Sequence, residues 1–571
     1  MRSSSWLRAT CFALLIGAAG CTAALGGEDE KDGGSGNAPG SGGSSTGSGG
    51  SGAGNGTGSG GGETVTLPGG LKLKGKPEYY RVVRLTHPQW ENSVRDVLRL
   101  DATTGLSTSF ITDPPDGKFS NNERALYVTD TLRVDYQRSA ENVAELVATN
   151  AAQLAKLGAA GDSAGIIASV GKRAFRRDLT AEELAEYQAL WATGATYYAS
   201  GDAFADGARI FIEALLQAPN FVYRVELTPD GSRLSGAELA TKISYLLLDT
   251  TPSDDLLNAA ASGALDTEQG VETLVTQLLE QEGARLATEH FHRELFGLDR
   301  YTSILKNTTK FPAYSEELNT VILDADVMFF NFVYGQNFGL REILTSDVAF
   351  VNDATAGFYG LTASGPALTQ TVLDGSRPGF LTRLGFLAFN ATLNDPDPIH
   401  RGVDINNRLL CAHLEPPAGE IPRLPDSIPG QTNRERVTAH TGEGFCGNCH
   451  NKIINPPGFA LESFDAMGQA RTTDNDKPID TTGTFQVLDG PLTFTNIADL
   501  AAQLAESNVA HACYTANLAE FAFARDIGTG ESTLVSALQA QSRDADASIK
   551  NILLAMIKSP EFSTARSGAA Q

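Results

Sequence analysis

Residues 84–100, RLTHPQWENSVRDVLRL, combine a helix start signal with an apolar period of 3.6 residues. Thr86 takes the N-cap position, and Gln89 follows three residues later at the spacing of a capping box. The apolar residues that recur on one helical face are Trp90, Val94, Val97 and Leu98. The stretch therefore predicts an amphipathic α-helix whose apolar face is buried in a core.

The same start signal appears twice more. Thr180 and Glu183 precede a periodic run in RRDLTAEELAEYQALW, and Ser235 and Glu238 do so in RLSGAELATKISYLLL. Strand signals are few, and the best is GTFQVLDGPLTF at residues 483–494, with a turn expected at Asp489-Gly490. The chain is therefore predicted to be mainly α, with a multi-helical body and few short strands.

A second pattern suggests that a helical unit occurs twice. AFRRDL at residues 174–179 precedes a run ending in LLQAPNFVYR, and AFARDI at 522–527 precedes a run ending in MIKSPEFSTAR. Each run meets a helix-breaking proline and then a phenylalanine, Phe221 or Phe562. A diverged duplication explains this echo, and chance recurrence in a helical protein is the alternative.

Composition limits the classes of partner. The 571 residues are 41% hydrophobic and 20% charged, as in an ordinary globular protein. Lys and Arg number 44 against 68 Asp and Glu, so the formal net charge is −24. This charge repels phosphate backbones and anionic membrane surfaces. Nucleic acid is therefore not an expected partner.

The N-terminal sequence predicts export. Arg2 and Arg8 precede an apolar run, and the small residues before Cys21 resemble a bacterial lipobox. A signal peptide of residues 1–20 and a lipidated Cys21 are expected, with simple cleavage and a spare Cys21 thiol as the alternative. Residues 33–62 are nearly all Gly and Ser, which is typical of a flexible tether. Since no other run of about twenty apolar residues occurs, the lipid anchor is the expected membrane contact.

Composition shifts and a Pro-rich stretch from Cys411 to Gly430 suggest the domain boundaries. The expected parts are a signal peptide (1–20), a lipidated Cys and tether (21–63), an N-terminal helical domain (64–165), a helical domain (166–230), a central helical domain (231–410), a cytochrome c-like CxxCH module (411–480) and a C-terminal helical domain (481–571).

Cys446, Cys449 and His450 form a C-x-x-C-H motif, which in an exported protein predicts covalent attachment of haem c. Two thiols on one short turn can add to the two vinyl groups of haem, and the adjacent imidazole then reaches the iron. His450 is the predicted iron ligand. The turn that follows, Asn455 to Gly458, offers a carbonyl to the other imidazole nitrogen.

Two other interpretations of the motif remain open. Cys446 and Cys449 form a local disulfide or redox pair in the first. In the second, Cys411 and His413 join them in a Cys₃His zinc site. If Cys21 is lipidated and CxxCH holds haem, Cys411 and Cys513 remain as disulfide partners in an oxidising compartment. Four cysteines allow three pairings, so the sequence does not fix this one.

The distal side of the iron has several candidate residues. Met467 lies 17 residues beyond His450 and is a possible thioether ligand, although a lone Met is more often core filler. A vacant distal position would instead suit peroxide or oxygen chemistry. The candidates for propionate pairing or distal polarisation are Arg434, Arg436 and Arg471.

The motifs also resemble a known family in their order. They are RLTHPQWENSVRDVL (84–98), KRAFRRDLTAEEL (172–184), LLQAPNFVYRVEL (215–227), LSGAELATKISYLLLDTTPSDDLL (234–257), RGVDINNRLLC (401–411), CGNCHNKIINPPGFALESFDAMGQAR (446–471) and CYTANLAEFAFARDI (513–527). This succession is similar to the tandem domains of unknown function found with Planctomycete-type cytochrome c modules. The resemblance implies an exported, helical protein with a C-terminal haem-c-like module, and it supplies no established reaction.

This chain departs from the usual pattern of that family at three places. Asn455 stands where the family has Asp, Met467 where another apolar residue is common, and Ala470 where Trp or Tyr is usual.

The sequence as a whole predicts a c-type haem lipoprotein at the bacterial outer membrane, in the periplasm or at the cell surface. Electron transfer or a haem-dependent oxidation is its expected role, with a redox partner protein or an envelope substrate. The alternative is a non-enzymatic binding or scaffold protein with a structural disulfide or zinc at CxxCH.

Overall fold

The structure is a computed structural model that describes residues 63–77, 79–114, 117–362, 365–414 and 422–566. These residues form 23 α-helices and ten short strands, which confirms the predicted mainly α fold. The predicted signal peptide, the lipidated Cys21 and nearly all of the tether lie outside the described residues. No helix among the described residues is both long enough and apolar enough to cross a bilayer.

The N-terminal helices enclose one hydrophobic core. Trp90, Phe211 and Phe221 are fully buried in it, and Tyr245 joins it from the central region. The expected segments 64–165 and 166–230 share this core. Its helices are α1 (His87–Val97), α2 (Asp130–Ala148), α3 (Ala151–Leu157), α4 (Ser163–Phe175), α5 (Ala181–Tyr198), α6 (Ala203–Gln217) and α7 (Pro219–Val222).

The central and C-terminal helices share a second, larger core that includes Phe330, Phe380 and Tyr514. The central helices are α8 (Gly236–Leu247), α9 (Asp254–Ala261), α10 (Glu268–Leu279), α11 (Glu282–Phe296), α12 (Leu318–Gly335), α13 (Leu340–Thr345), α14 (Leu384–Phe389) and α15 (Pro398–Leu409). The C-terminal helices are α16 (Asn433–Thr441), α17 (Gly444–Cys449), α18 (Asn455–Phe459), α19 (Ile497–Leu504), α20 (Asn508–Phe523), α21 (Ser532–Ser542), α22 (Ile549–Lys558) and α23 (Pro560–Ser563).

The strands form five antiparallel pairs. Val487 pairs with Gly490 in the predicted hairpin, so the turn residues are Leu488 and Asp489. The expected turn at Asp489-Gly490 is therefore wrong by one residue, because Gly490 begins the second strand. The pairs are β1 (Thr64–Thr66) with β2 (Lys72–Lys74), β3 (Val82–Arg84) with β4 (Tyr223–Val225), β5 (Val348–Val351) with β6 (Thr369–Val372), β7 (Thr473–Asp474) with β8 (Lys477–Pro478), and β9 (Gly483–Val487) with β10 (Gly490–Phe494).

All three predicted capping boxes are present. The side chain of each N-cap residue accepts from the N3 amide, and the N3 side chain accepts from the N-cap amide, at the starts of α1, α5 and α8. Such caps satisfy amides that have no partner inside the helix, and each is worth about 1 kcal/mol. The helix starts are therefore encoded locally.

The echo in the sequence corresponds to two similarly built units, which we call the first helical unit (residues 163–225) and the second helical unit (residues 508–566). The first helix ends with a residue in the left-handed region, Arg176 (φ 61°) in one and Ala524 (φ 53°) in the other. Two further helices follow in each unit, and then a one-turn helix that begins at a proline. Phe221 and Phe562 are both fully buried, each contributing roughly 1.5–3 kcal/mol by burial.

Candidate functional site

The two cysteines of the motif lie on the short helix α17. Cys446 is exposed and Cys449 is 8% exposed, and no disulfide joins them in the structure. Residues three apart lie on the same side of a helix, so both cysteines lie on one side of α17. Phe445 beside them is 63% exposed, which provides apolar surface next to the thiols.

His450 begins a π-helical turn, His450–Ile454, a type of distortion that is frequent at functional sites. Its Nδ1 lies 2.9 Å from Oδ1 of Asn455. Nδ2 of Asn455 donates to Oγ1 of Thr441 at 2.9 Å, and Thr441 donates its hydroxyl hydrogen to the carbonyl of Val437 at 2.8 Å. We call this chain of hydrogen bonds the Asn455 relay.

The Asn455 relay fixes the tautomer of His450. Thr441 gives its one hydrogen to Val437, so its oxygen accepts from the amide of Asn455. Oδ1 of Asn455 therefore faces His450 and accepts the Nδ1 hydrogen. A neutral His450 then has its lone pair on Nε2, the arrangement that a metal-binding imidazole requires.

Close backbone packing holds this turn in place. A Cβ at Gly402 would lie 1.8 Å from the carbonyl oxygen of Ile454, and one at Gly458 would lie 1.9 Å from that of Pro398. Asn406 also donates to the carbonyl of Ile453 at 2.9 Å. Helix α15 thus packs directly against the backbone of the segment that contains His450 and Asn455. The fold therefore fixes the positions of these two residues.

Met467, the possible distal ligand, is fully buried in the larger core. Core packing is sufficient to account for an apolar side chain there. Iron ligation by Met467 stays a prediction.

The three arginines near the motif already have partners. Arg436 pairs with Asp395 at 3.3 Å, and Arg471 pairs with the buried Glu462 at 2.9 Å. The guanidinium of Arg434 lies 4.6 Å from the centre of the Phe459 ring. A role toward haem propionates would therefore require these side chains to exchange partners.

Cys411 and Cys513 form a disulfide across a sequence separation of 102 residues. Since Cys411 is oxidised, it offers no thiolate, and the Cys₃His set with His413 loses a ligand. No group of three or more His, Cys, Asp or Glu in the described part of the chain is arranged to hold a metal ion.

A cavity of about 460 Å³ opens beside α16. Thr438, Glu462 and Ile479 are among its lining residues. Burial raises the pKa of Glu462, against the opposing charge of Arg471. The volume falls within the range of small-molecule sites, roughly 300–1,000 Å³. The cavity lies one helical turn along α16 from Thr441, and no sequence motif indicated it.

Fold and site together define a multi-helical protein with tandem domains and a CxxCH segment in its C-terminal half. Five families, each described as a protein of unknown function, match the chain in tandem. They are DUF1587 at residues 84–149, DUF1595 at 163–226, DUF1592 at 234–361, DUF1588 at 377–474 and DUF1585 at 492–562.

This succession is the planctomycete cytochrome c-associated domain set, and the chain belongs to it. The DUF1588 match, a family also named PSCyt3, contains Cys446, Cys449 and His450. No curated protein and no solved structure matches the chain.

Proposed function

We propose that the chain is an exported c-type haem protein that acts in electron transfer or a haem-dependent oxidation at the cell envelope. The observation that carries the proposal is the Asn455 relay, which leaves the Nε2 lone pair of His450 available next to two cysteines on one helix. The cytochrome c-associated families that match the chain support it.

The residues present fit the attachment of haem c. Cys446 and Cys449 would each add S–H across a vinyl C=C bond, forming a C–S bond without net oxidation, and Nε2 of His450 would bind iron. Haem bound there would supply one-electron chemistry. The exposed ring of Phe445, next in the chain to Cys446, would offer bound haem an apolar contact.

The Asn455 relay has a separate role. By accepting the Nδ1 hydrogen, Asn455 makes the imidazole a stronger donor through Nε2 and holds the ring orientation. Asn455 is 1% exposed, so no water replaces it at this position without a rearrangement.

Anchoring through Cys21 and the tether would place the body at the envelope, with a redox partner protein or an envelope substrate as the interacting molecule. The cavity beside α16 is the space that a small substrate would occupy if the role is oxidation.

The test is a visible spectrum of the chain produced with cytochrome c maturation machinery, recorded oxidised, reduced, and reduced under carbon monoxide. A sharp reduced α-band that resists acid-acetone extraction is expected. A carbon monoxide shift would favour oxidation, because it requires an open or displaceable sixth ligand, and no shift would favour electron transfer.

Matched variants locate the site. Cys446→Ser with Cys449→Ser should abolish covalent attachment, whereas His400→Ala, which changes an exposed histidine, should not alter the spectrum. Asn455→Leu should retain covalent haem but raise the reduction potential, since the Nδ1 hydrogen then lacks its acceptor. A colourless wild-type protein would overturn the proposal and leave the scaffold interpretation, with or without bound zinc.

A further inference from the structure

The two helical units share a specific arrangement at the corner between their first and second helices. The guanidinium of Arg177 lies 5.8 Å from the centre of the Phe175 ring, and that of Arg525 lies 5.3 Å from the centre of the Phe523 ring. Each arginine also bonds a glutamate six residues later, at 2.8 Å and 2.9 Å. These shared contacts show which residue of the first unit corresponds to which residue of the second.

In the second helical unit, Gly75 and Tyr79 of the same chain contact this corner. The Tyr79 ring lies 5.5 Å from the guanidinium of Arg525, which is thus held between two aromatic rings. The backbone N–H and the hydroxyl of Thr529 both donate to the carbonyl of Gly75, at 3.0 Å and 3.1 Å. The contact with the second unit thus consists of the Tyr79 ring and the carbonyl of Gly75, four residues earlier in the chain.

In the first helical unit, the corresponding corner faces a groove of about 390 Å³. Arg177 and Tyr223 line it together with Leu227, which is 79% exposed, the highest exposure among the large apolar side chains of the described residues. Ala181 takes the position of Thr529 and is exposed. It is the first residue of α5, so its N–H has no acceptor within the helix.

We infer that this groove binds a tyrosine-bearing segment of a partner protein, in the way that the second helical unit binds Gly75 and Tyr79. The tyrosine ring stacks on the open face of Arg177, where a cation–π contact is worth about 0.5–2 kcal/mol. A carbonyl four residues earlier accepts from the N–H of Ala181. Leu227 supplies the apolar contact, which accounts for its exposure in the described structure.

The chain's own segment is the probe for this groove. We would label a synthetic peptide of residues 73–81, LKGKPEYYR, and measure its binding to the full chain by fluorescence anisotropy. Gly75 and Tyr79 already contact the second unit within the same chain, so the added peptide reports binding to the first unit. Saturable binding is expected, and Tyr79→Ala in the peptide should weaken it at least tenfold, since the stacking contact is lost.

Two variants of the protein test whether the peptide binds in this groove. Leu227→Asp and Arg177→Gln should each weaken the peptide at least tenfold, and Leu305→Asp, which changes a 57% exposed leucine elsewhere, should leave binding unchanged. Circular dichroism confirms that each variant is folded.

Absence of saturable binding, or equal binding by wild type and both groove variants, would overturn the inference. A dimer in sedimentation that Leu227→Asp dissolves would also overturn it, because a second copy would then occupy the groove. None of these outcomes depends on haem, so this test is separate from that of the proposed function.

Discussion

The two helical units contain the same ion pair in different surroundings. In the first, the side chains of Arg177 and Glu183 are 38% and 21% exposed. In the second, those of Arg525 and Glu531 are 4% and 2% exposed, since Tyr79 lies against Arg525 and Arg566 pairs with Glu531. The local sequence forms the same corner in both units. Contacts from distant parts of the chain determine whether its ion pair is exposed to solvent or buried. The pair should therefore matter much more in the second unit.

The largest difference that we expect between the units comes from the disulfide. Cys513 lies in the second unit, and residues 163–225 contain no cysteine. A crosslink that closes a loop of about 100 residues stabilises by up to about 4.7 kcal/mol in the chain-entropy model. Cys411→Ala with Cys513→Ala should lower the urea midpoint of the second unit and leave that of the first nearly unchanged.

Both midpoints can be read from one urea series by pulse proteolysis with mass spectrometry of the peptides. Trp90 and Trp191 give an independent fluorescence signal, because both lie in the N-terminal core that includes the first unit. Equal midpoints for the double variant and the wild type in both units would contradict the expectation.

The next largest effect should follow Glu531→Gln. The substitution keeps the size of the side chain but leaves the buried Arg525 charge, and the charge of Arg566, without their shared carboxylate partner. Loss of one member of a buried pair costs roughly 3–5 kcal/mol. The midpoint of the second unit should fall accordingly in the same urea series. An effect below about 1 kcal/mol, as small as that of an exposed pair, would show that burial of Arg525 and Glu531 does not strengthen their contribution.

A third difference between the units is their response to acid. The first unit has no histidine, whereas His511 in the second is buried and bonds Ser542 at 2.8 Å and the carbonyl of Ala505 at 2.9 Å. Burial lowers the pKa of His511 below its usual 6.5, although its bond to Ala505 acts in the opposite direction.

The unfolded chain therefore takes up a proton more readily than the folded one, so the stability from a neutral His511 is complete above pH 6.5 and falls as the pH drops below it. Between pH 7.5 and 5.5, the urea midpoint of the second unit should fall more than that of the first. His511→Gln should reduce this difference. A difference that persists unchanged in the variant would assign the acid response to other groups.

The sequence alone predicted those features of the fold that depend on residues close together in the chain. Thr180 and Glu183 mark a helix start, and Pro219 and Pro560 mark the breaks before Phe221 and Phe562. These signals lie within a few residues of the structure they specify.

Long-range partners were not predictable in the same way. The carbonyl expected near His450 is the side chain of Asn455, and its orientation depends on Thr441, fourteen residues earlier. The contacts of Tyr79 with Arg525 and of Gly75 with Thr529 join segments about 450 residues apart, which no local pattern encodes.

The smallest effect should be that of Glu183→Gln, the matched change in the first unit. The bond from Arg177 lowers the pKa of Glu183 to about 2, so its contribution is present above pH 4.5 and is lost as the pH falls toward 2. At neutral pH, an exposed pair contributes below about 1 kcal/mol, because water and salt screen it. We therefore expect a small shift in the midpoint of the first unit at pH 7, which decreases further in 1 M NaCl. A shift as large as that of Glu531→Gln would mean that the corner in the first unit is covered in solution, as the binding of a partner segment would require.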